Sequence, residues 1–313
     1  MQRDAYGFTH NQTLRLANNG VVLQDIGDEI YKVMPDSIQQ SWHTNGYHGT
    51  YSHNARAVYN MYLGYFDMNP ANLNPLPIEP ESVKFVEYMG GSDAVIEKAQ
   101  QDFQEGEYRF VATALNKVIQ AEPENKVARG LLADTYEQLG YQSEGAGWRN
   151  IYLTGAQELR IGTQPGAPKT ASPDVLANMT IENLLDYLAV KVDSLKAQNT
   201  PFTMNIQLPD VKEFYYVEMS NGNLNNIQVS DLQDADTTLI INKSDVSDIV
   251  LKRTTLNKLM EARQAGVKGD KSSLNKLLSS LTEADTSFEI VPRPNKGEEV
   301  DAELYQDSAV HAH

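Results

Sequence analysis

The densest group of residues able to do chemistry is the run TYSHNAR over residues 50–56. Thr50, Tyr51, Ser52, His53 and Asn54 each carry a side chain able to donate a hydrogen bond, and Arg56 adds a fixed positive charge. Such a set suits the grip of a sulfate, phosphate or carboxylate. Ser52 reads as a helix N-cap, and Val58, Met61, Tyr62 and Tyr65 recur at helical spacing, which predicts a helix over 52–66. Arg56 then falls in the first turn, where free backbone N–H groups and the positive end of the helix dipole favour an anion. The bland alternatives are an Arg56 that is solvated or paired with a carboxylate, and a His53 and Asn54 that only satisfy backbone groups at the helix start. Tyr47 and His48, in the preceding turn, are weaker candidates.

Metal chemistry finds little here. Zinc hydrolysis needs several imidazole or carboxylate ligands around one ion with a position open for water. Of the six histidines, His10, His43, His48 and His53 lack a companion carboxylate at ligand spacing. His311 and His313 form an HxH only at the chain end, after the acidic run GEEVDAELYQD, where a frayed tail is expected. Zero cysteine excludes disulfides and thiolate ligands.

The elements that must position the run are helical. Helices are expected over 10–18 and 23–34, the second stopped by Pro35, and an irregular loop over 67–81 carries Pro70, Pro75, Pro77 and Pro80. Further helices are read over 94–104, 108–121, 123–139 and 143–159. Ala99 and Phe103 correspond to Leu132 and Tyr136 at an offset of thirty-three residues, close to a tetratricopeptide repeat. So short a stack leaves an apolar face open, which self-association would cover; a peptide bound in the repeat groove is the rival reading. Trp148, Tyr152 and Leu159 fit either surface or the core.

Residues 162–173 read as a linker, after which the texture changes. Thr180 caps a helix with Ile181, Leu184, Leu185, Leu188, Val192 and Leu195 on one side. Strands are expected over 202–208, 214–219, 224–229, 237–241 and 287–291, with Asn221-Gly222 as a hairpin turn, and helices over 244–252, 255–265 and 271–281. Leu256, Leu259, Leu274, Leu277, Leu278 and Leu281 either line an apolar tunnel or fill a core.

WHTNGYHG from Trp42, SHNARAVYNMYLG from Ser52 and DMNPANL from Asp67, with THNQTLRLANNG before them and YMGG after, resemble the zinc-dependent alkylsulfatases of the metallo-β-lactamase superfamily. The late order of helix, strands, helices and strand, with GVKGDKSSLNKLLSSL, resembles the sterol-carrier-protein fold in which that family ends. The resemblance implies a multidomain chain. Residues 1–40 would be remnant helices of the catalytic domain, and 41–161 an all-α, tetratricopeptide-like dimerisation domain. After the linker, 174–295 would be an α+β sterol-carrier-protein-like domain with a five-stranded sheet, and 296–313 an acidic flexible tail.

It further implies hydrolysis of long-chain primary alkyl sulfates such as dodecyl sulfate by a zinc-activated water, giving sulfate and a fatty alcohol. Arg56 matches the family arginine that grips sulfate, Thr50 stands where some members carry histidine, and His53 and Asn54 match the SHN motif. The family's HxHxDH zinc motif lies upstream of the matching segment. Zinc is therefore implied for a catalytic domain outside this chain, and the chain by itself is expected to be an inactive, truncated piece. Expected partners are a second copy and an alkyl sulfate or fatty alcohol; the alternatives are a free-standing lipid-binding protein and a helical interaction module. Formal charge is -16, which argues against nucleic acid. No apolar run approaches a membrane span, and residues 1–20 lack a secretory pattern. Localisation stays open, with periplasm or secretion possible for a longer protein.

Overall fold

The computed structural model describes residues 1–163, 172–251, 253–283 and 288–291. The described residues fall into two compact units, one within 1–163 and 288–291, the other within 172–283. The central residues of the expected linker and the expected acidic tail lie outside the described residues.

The first unit is helical. It opens with α1 (Gln2–Asn18), α2 (Leu23–Lys32), the short α3 (Asp36–Gln39) and α4 (Tyr51–Leu63). Helix α1 starts eight residues before the expected 10, and its buried Thr9 and Thr13 return their hydroxyls to the carbonyls of Ala5 and Thr9 at 2.8 and 2.7 Å. Leu16, Ile26, Ile30, Ala55 and Tyr59 close one core between these helices.

Five helices follow: α5 (Ile78–Tyr88), α6 (Ser92–Glu105), α7 (Tyr108–Ala121), α8 (Lys126–Gln142) and α9 (Ala146–Ile161). Helix α5 corrects the expected loop, since Pro77 is its N-cap and Pro80 sits in its first turn, where a missing N–H costs nothing. Gly106 ends α6 in the left-handed conformation, φ +85°. Helix α8 starts at Lys126 rather than at Pro123, because the Asn125 side chain accepts the Ala128 N–H. The repeat echo is real in packing: Ala99 and Leu132 are buried in one core with Val111, Leu115 and Val118, and Phe103 and Tyr136 pack against it.

The second unit contains α10 (Pro173–Asn178), α11 (Ile181–Val190), α12 (Ser194–Ala197), α13 (Lys243–Val250), α14 (Leu256–Glu261) and α15 (Ser272–Ser280) around a sheet. Its strands are β1 (Phe202–Leu208), β2 (Glu213–Ser220), β3 (Asn223–Val229), β4 (Thr237–Ile240) and β5 (Gly266–Gly269), in the order β3-β2-β1-β4-β5. β1 pairs parallel with β4 and antiparallel with β2, while β5 pairs antiparallel with β4, so the five-stranded sheet is mixed. Asn221 and Gly222 both take positive φ, 52° and 73°, and close the β2–β3 hairpin as a type I′ turn.

The fifth strand is not the one expected. Phe288–Val291 form no strand, and Gly266–Gly269, which lies between two of the expected helices, pairs Val267 with Leu239. A four-residue edge strand with a glycine at each end offers no alternation to read. Ile181, Leu184, Leu185, Leu259, Leu274 and Leu277 fill the core with Met204, Leu208, Val217 and Met219 from the sheet. Leu195 and Leu278 instead face outward. The apolar stripe of α11 ends where Asp193 caps a new helix, and the buried face of α15 centres on Leu274 and Leu277.

Candidate functional site

In the helical unit the 42–56 segment forms one wall of a cleft of about 750 Å³. Thr50, not Ser52, caps α4: its hydroxyl accepts the His53 N–H at 3.0 Å. The hydroxyl of Tyr31, from α2, faces the N–H groups of Tyr51 and Ser52, and burial pushes that phenol above its ordinary pKa, so it stays a neutral donor. The His53 and Asn54 N–H groups thus have partners within the chain, the Thr50 hydroxyl and the Thr50 carbonyl.

Arg56 lies one turn deeper than expected and is half-buried. Its guanidinium donates to Ser52 Oγ at 2.6 Å and to the Gln24 carbonyl at 3.4 Å. Among the described residues no carboxylate pairs with it; Asp28, on the same cleft, is taken by Arg109 of α7 at 3.0 Å. Gly27 makes the close approach possible. A Cβ there would stand 2.5 Å from Ser52 Oγ and collide with the Arg56 guanidinium. The residues round the guanidinium thus hold a cation with neutral partners at the edge of an open cleft.

The predicted site residues do not all meet. Thr50 and Arg56 line the larger cleft with Tyr31, Ser52, Arg109 and Trp148. Asn54 lines a second cleft of about 300 Å³ with Tyr6, His43, His48 and Gly49. His53 lies in neither lining; the Trp148 indole N–H donates to its Nδ1 at 3.3 Å, leaving its other ring nitrogen to carry the proton in the neutral form. Tyr47 acts through its backbone, whose carbonyl accepts the Ala146 N–H at 2.8 Å and docks the turn on α9. That docking is close: a Cβ on Gly145 would meet the Gly46 carbonyl at 2.9 Å.

Tyr31, Arg109 and Trp148 were not foreseen as site residues. They come from α2, α7 and α9, and nothing in their local spacing marks them. Among the described residues no three His, Asp or Glu side chains converge as a metal site would require. The described residues do not fit zinc.

These features define a helical domain with a cleft edged by Arg56, followed by an α+β domain built on a mixed sheet. Comparison then fixes the family. The alkyl sulfatase dimerisation family model matches residues 23–162, and the alkyl sulfatase C-terminal model matches residues 169–293. The chain belongs to the alkylsulfatases. It is 39% identical over 292 residues to a linear primary-alkylsulfatase of a Pseudomonas species and 41% identical over 290 residues to an alkyl/aryl-sulfatase of Saccharomyces cerevisiae. These matches take in 93% of this chain but 43% and 44% of those proteins, so the chain spans less than half the length of the curated relatives it matches. The solved stereoselective inverting sec-alkylsulfatase of a Pseudomonas species superimposes with a TM-score of 0.86 at 35% identity, over 92% of this chain and 45% of that one.

Proposed function

We propose that this chain supplies a sulfate-gripping cleft, a homodimer surface and an apolar sheet domain to an enzyme that hydrolyses primary alkyl sulfate esters, of the dodecyl sulfate type, to alcohol and sulfate. The observation that carries the reading is Arg56, a cation held by Ser52 and the Gln24 carbonyl with no carboxylate partner among the described residues. Its remaining N–H donors match the tetrahedral oxygens of a sulfate. Thr50, with its lone pair engaged by His53, keeps its own proton to donate, and the neutral Tyr31 hydroxyl lies on the same cleft. His53 and Asn54 shape the turn that carries these groups.

Pairing of two copies is supported by the run Met61, Tyr62, Leu63, Tyr65 and Met68, all exposed to solvent. The leucine-rich core of the sheet domain is the place proposed for handling the alkyl tail or the alcohol. The test is a calorimetric titration of the chain with decyl sulfate. Arg56→Ala is expected to weaken binding about 10–100-fold, the worth of a charge-assisted contact. Unchanged binding by that variant, or equal binding of 1-decanol, would transfer the reading to a free-standing lipid binder.

A further inference from the structure

The chain returns to the helical unit after the sheet domain. Val291 is buried, 6% exposed, and belongs to the same core as Val111, Leu115, Leu132, Ala156 and Leu159. Its backbone N–H donates to the Glu158 carboxylate at 2.6 Å. Glu158 is itself only 6% exposed, so a buried carboxylate on α9 is met by a donor from a segment 133 residues away. Beside this contact lies a mostly apolar groove of about 450 Å³ walled by Tyr136, Ile151, Tyr152, Gly155 and Ile290. Gly155 allows the wall to close, since a Cβ there would press on the Tyr136 ring at 3.2 Å.

A short helical stack needs its terminal helices covered, because each helix pair buries only the face that its neighbour supplies. Helix α9 is the last helix of the stack before the sheet domain. We infer that the α8–α9 face beside this groove is a peptide-docking surface whose occupant is this chain's own Phe288–Val291 segment, which walls the groove through Ile290 and Val291 and caps the helical stack. The cap has one apolar anchor, Val291, and one polar latch, the Glu158 carboxylate. A buried charge without that N–H would be costly, so Glu158 fixes where the segment seats as well as holding it. The inference does not rest on the alkylsulfatase reaction.

Hydrogen exchange on the full chain tests it. Val291→Asp should raise exchange of the 146–161 amides of α9 by about tenfold or more, while the sheet domain keeps its protection. Glu158→Ala should do the same, and Glu158→Gln, which keeps an acceptor oxygen, should restore most of the protection. A synthetic peptide of residues 286–293, added to the Val291→Asp chain, should compete for the emptied groove and slow that exchange again. Wild-type protection of α9 in Val291→Asp, or equal loosening by Glu158→Gln and Glu158→Ala, would overturn the proposal. If the variant fails to fold, the same peptide added to wild type decides. Labelled peptide should stay unbound there and bind once the milder Val291→Ala change weakens the cap; binding to both alike would refute occupation in cis.

Discussion

The Arg56 cleft of the helical unit and the Asn205 network of the sheet unit treat polar side chains in opposite ways. In the sheet unit they close on each other: Asn205, 2% exposed, donates to the Gln233 carbonyl at 2.8 Å and accepts the Gln233 N–H at 3.0 Å. Thr203 and Asp236 exchange hydrogen bonds in the same way. In the helical cleft, Arg56 carries more donors than its two contacts use, and the Tyr31 oxygen faces the N–H groups of a helix start while its phenol keeps its proton. A fully satisfied network fixes a fold, whereas a surplus of oriented donors beside a cleft is what an anion can use.

The sharpest way to break that comparison is to damage each core separately. Leu132, in the helical core, and Met204, in the sheet core, are 0% and 1% exposed. Truncating either to alanine is expected to cost about 2–5 kcal/mol. Each loss should appear only in its own unit's transition in urea unfolding followed by hydrogen exchange. One shared transition, lowered equally by Leu132→Ala and Met204→Ala, would show a single cooperative body instead.

A smaller effect tests how tightly the sheet unit is closed. Gly222 sits at φ +73°, and a Cβ there would stand 2.6 Å from the Ser194 carbonyl. Gly222→Ala should therefore destabilise the sheet unit by about 1–3 kcal/mol through backbone strain, read as a lowered melting temperature, with decyl sulfate affinity unchanged. The helical cleft offers the converse experiment at Gly27. Its neighbours there are the flexible Arg56 guanidinium and the Ser52 hydroxyl, so Gly27→Ala should displace the cation at little cost to folding. Decyl sulfate affinity should fall about tenfold, a loss of one charge-assisted bond. Wild-type affinity in Gly27→Ala would mean that the position of Arg56 does not matter.

Much of this was legible from residue order because it is local. The Asn221-Gly222 turn, the Thr180 cap and the helix over Tyr108–Ala121 each declare themselves within a few residues, and the WHTNGYHG and SHNARAVYNMYLG runs carry the family. The repeat echo of Ala99 with Leu132, read at an offset of thirty-three residues, joins two residues that the structure buries in one core. What failed was non-local. Strand β5 is defined by its partner Thr237–Ile240 and not by its own GVKG, and Val291 was read as a strand because nothing nearby reveals Glu158. Of the cleft-lining residues, Arg56 stood out by its charge, whereas Tyr31 and Trp148 reach the same cleft from α2 and α9.

The mildest test uses two tyrosines, one in each unit, that burial pushes up to about 12: Tyr136 and Tyr215. An unfolded phenol titrates near 10, so each folded unit binds a proton that its unfolded chain releases first. The stabilisation from each neutral phenol is complete below pH 10 and is lost as pH rises from about 10 toward 12. Both units should lose melting temperature across that window, but for different secondary causes. After burial, Tyr136 is raised by its neighbour Tyr152, whereas Tyr215 is raised by donating its hydroxyl to Glu213 at 3.0 Å. Glu213→Ala should bring the Tyr215 titration back toward 10, because the acceptor that favours the protonated phenol is gone, and leave Tyr136 where it is. Ultraviolet titration of the phenolates in the wild type and in this variant reads both groups at once. If both tyrosines moved with Glu213, the two units would share an electrostatic environment, and the separation drawn between them would fail.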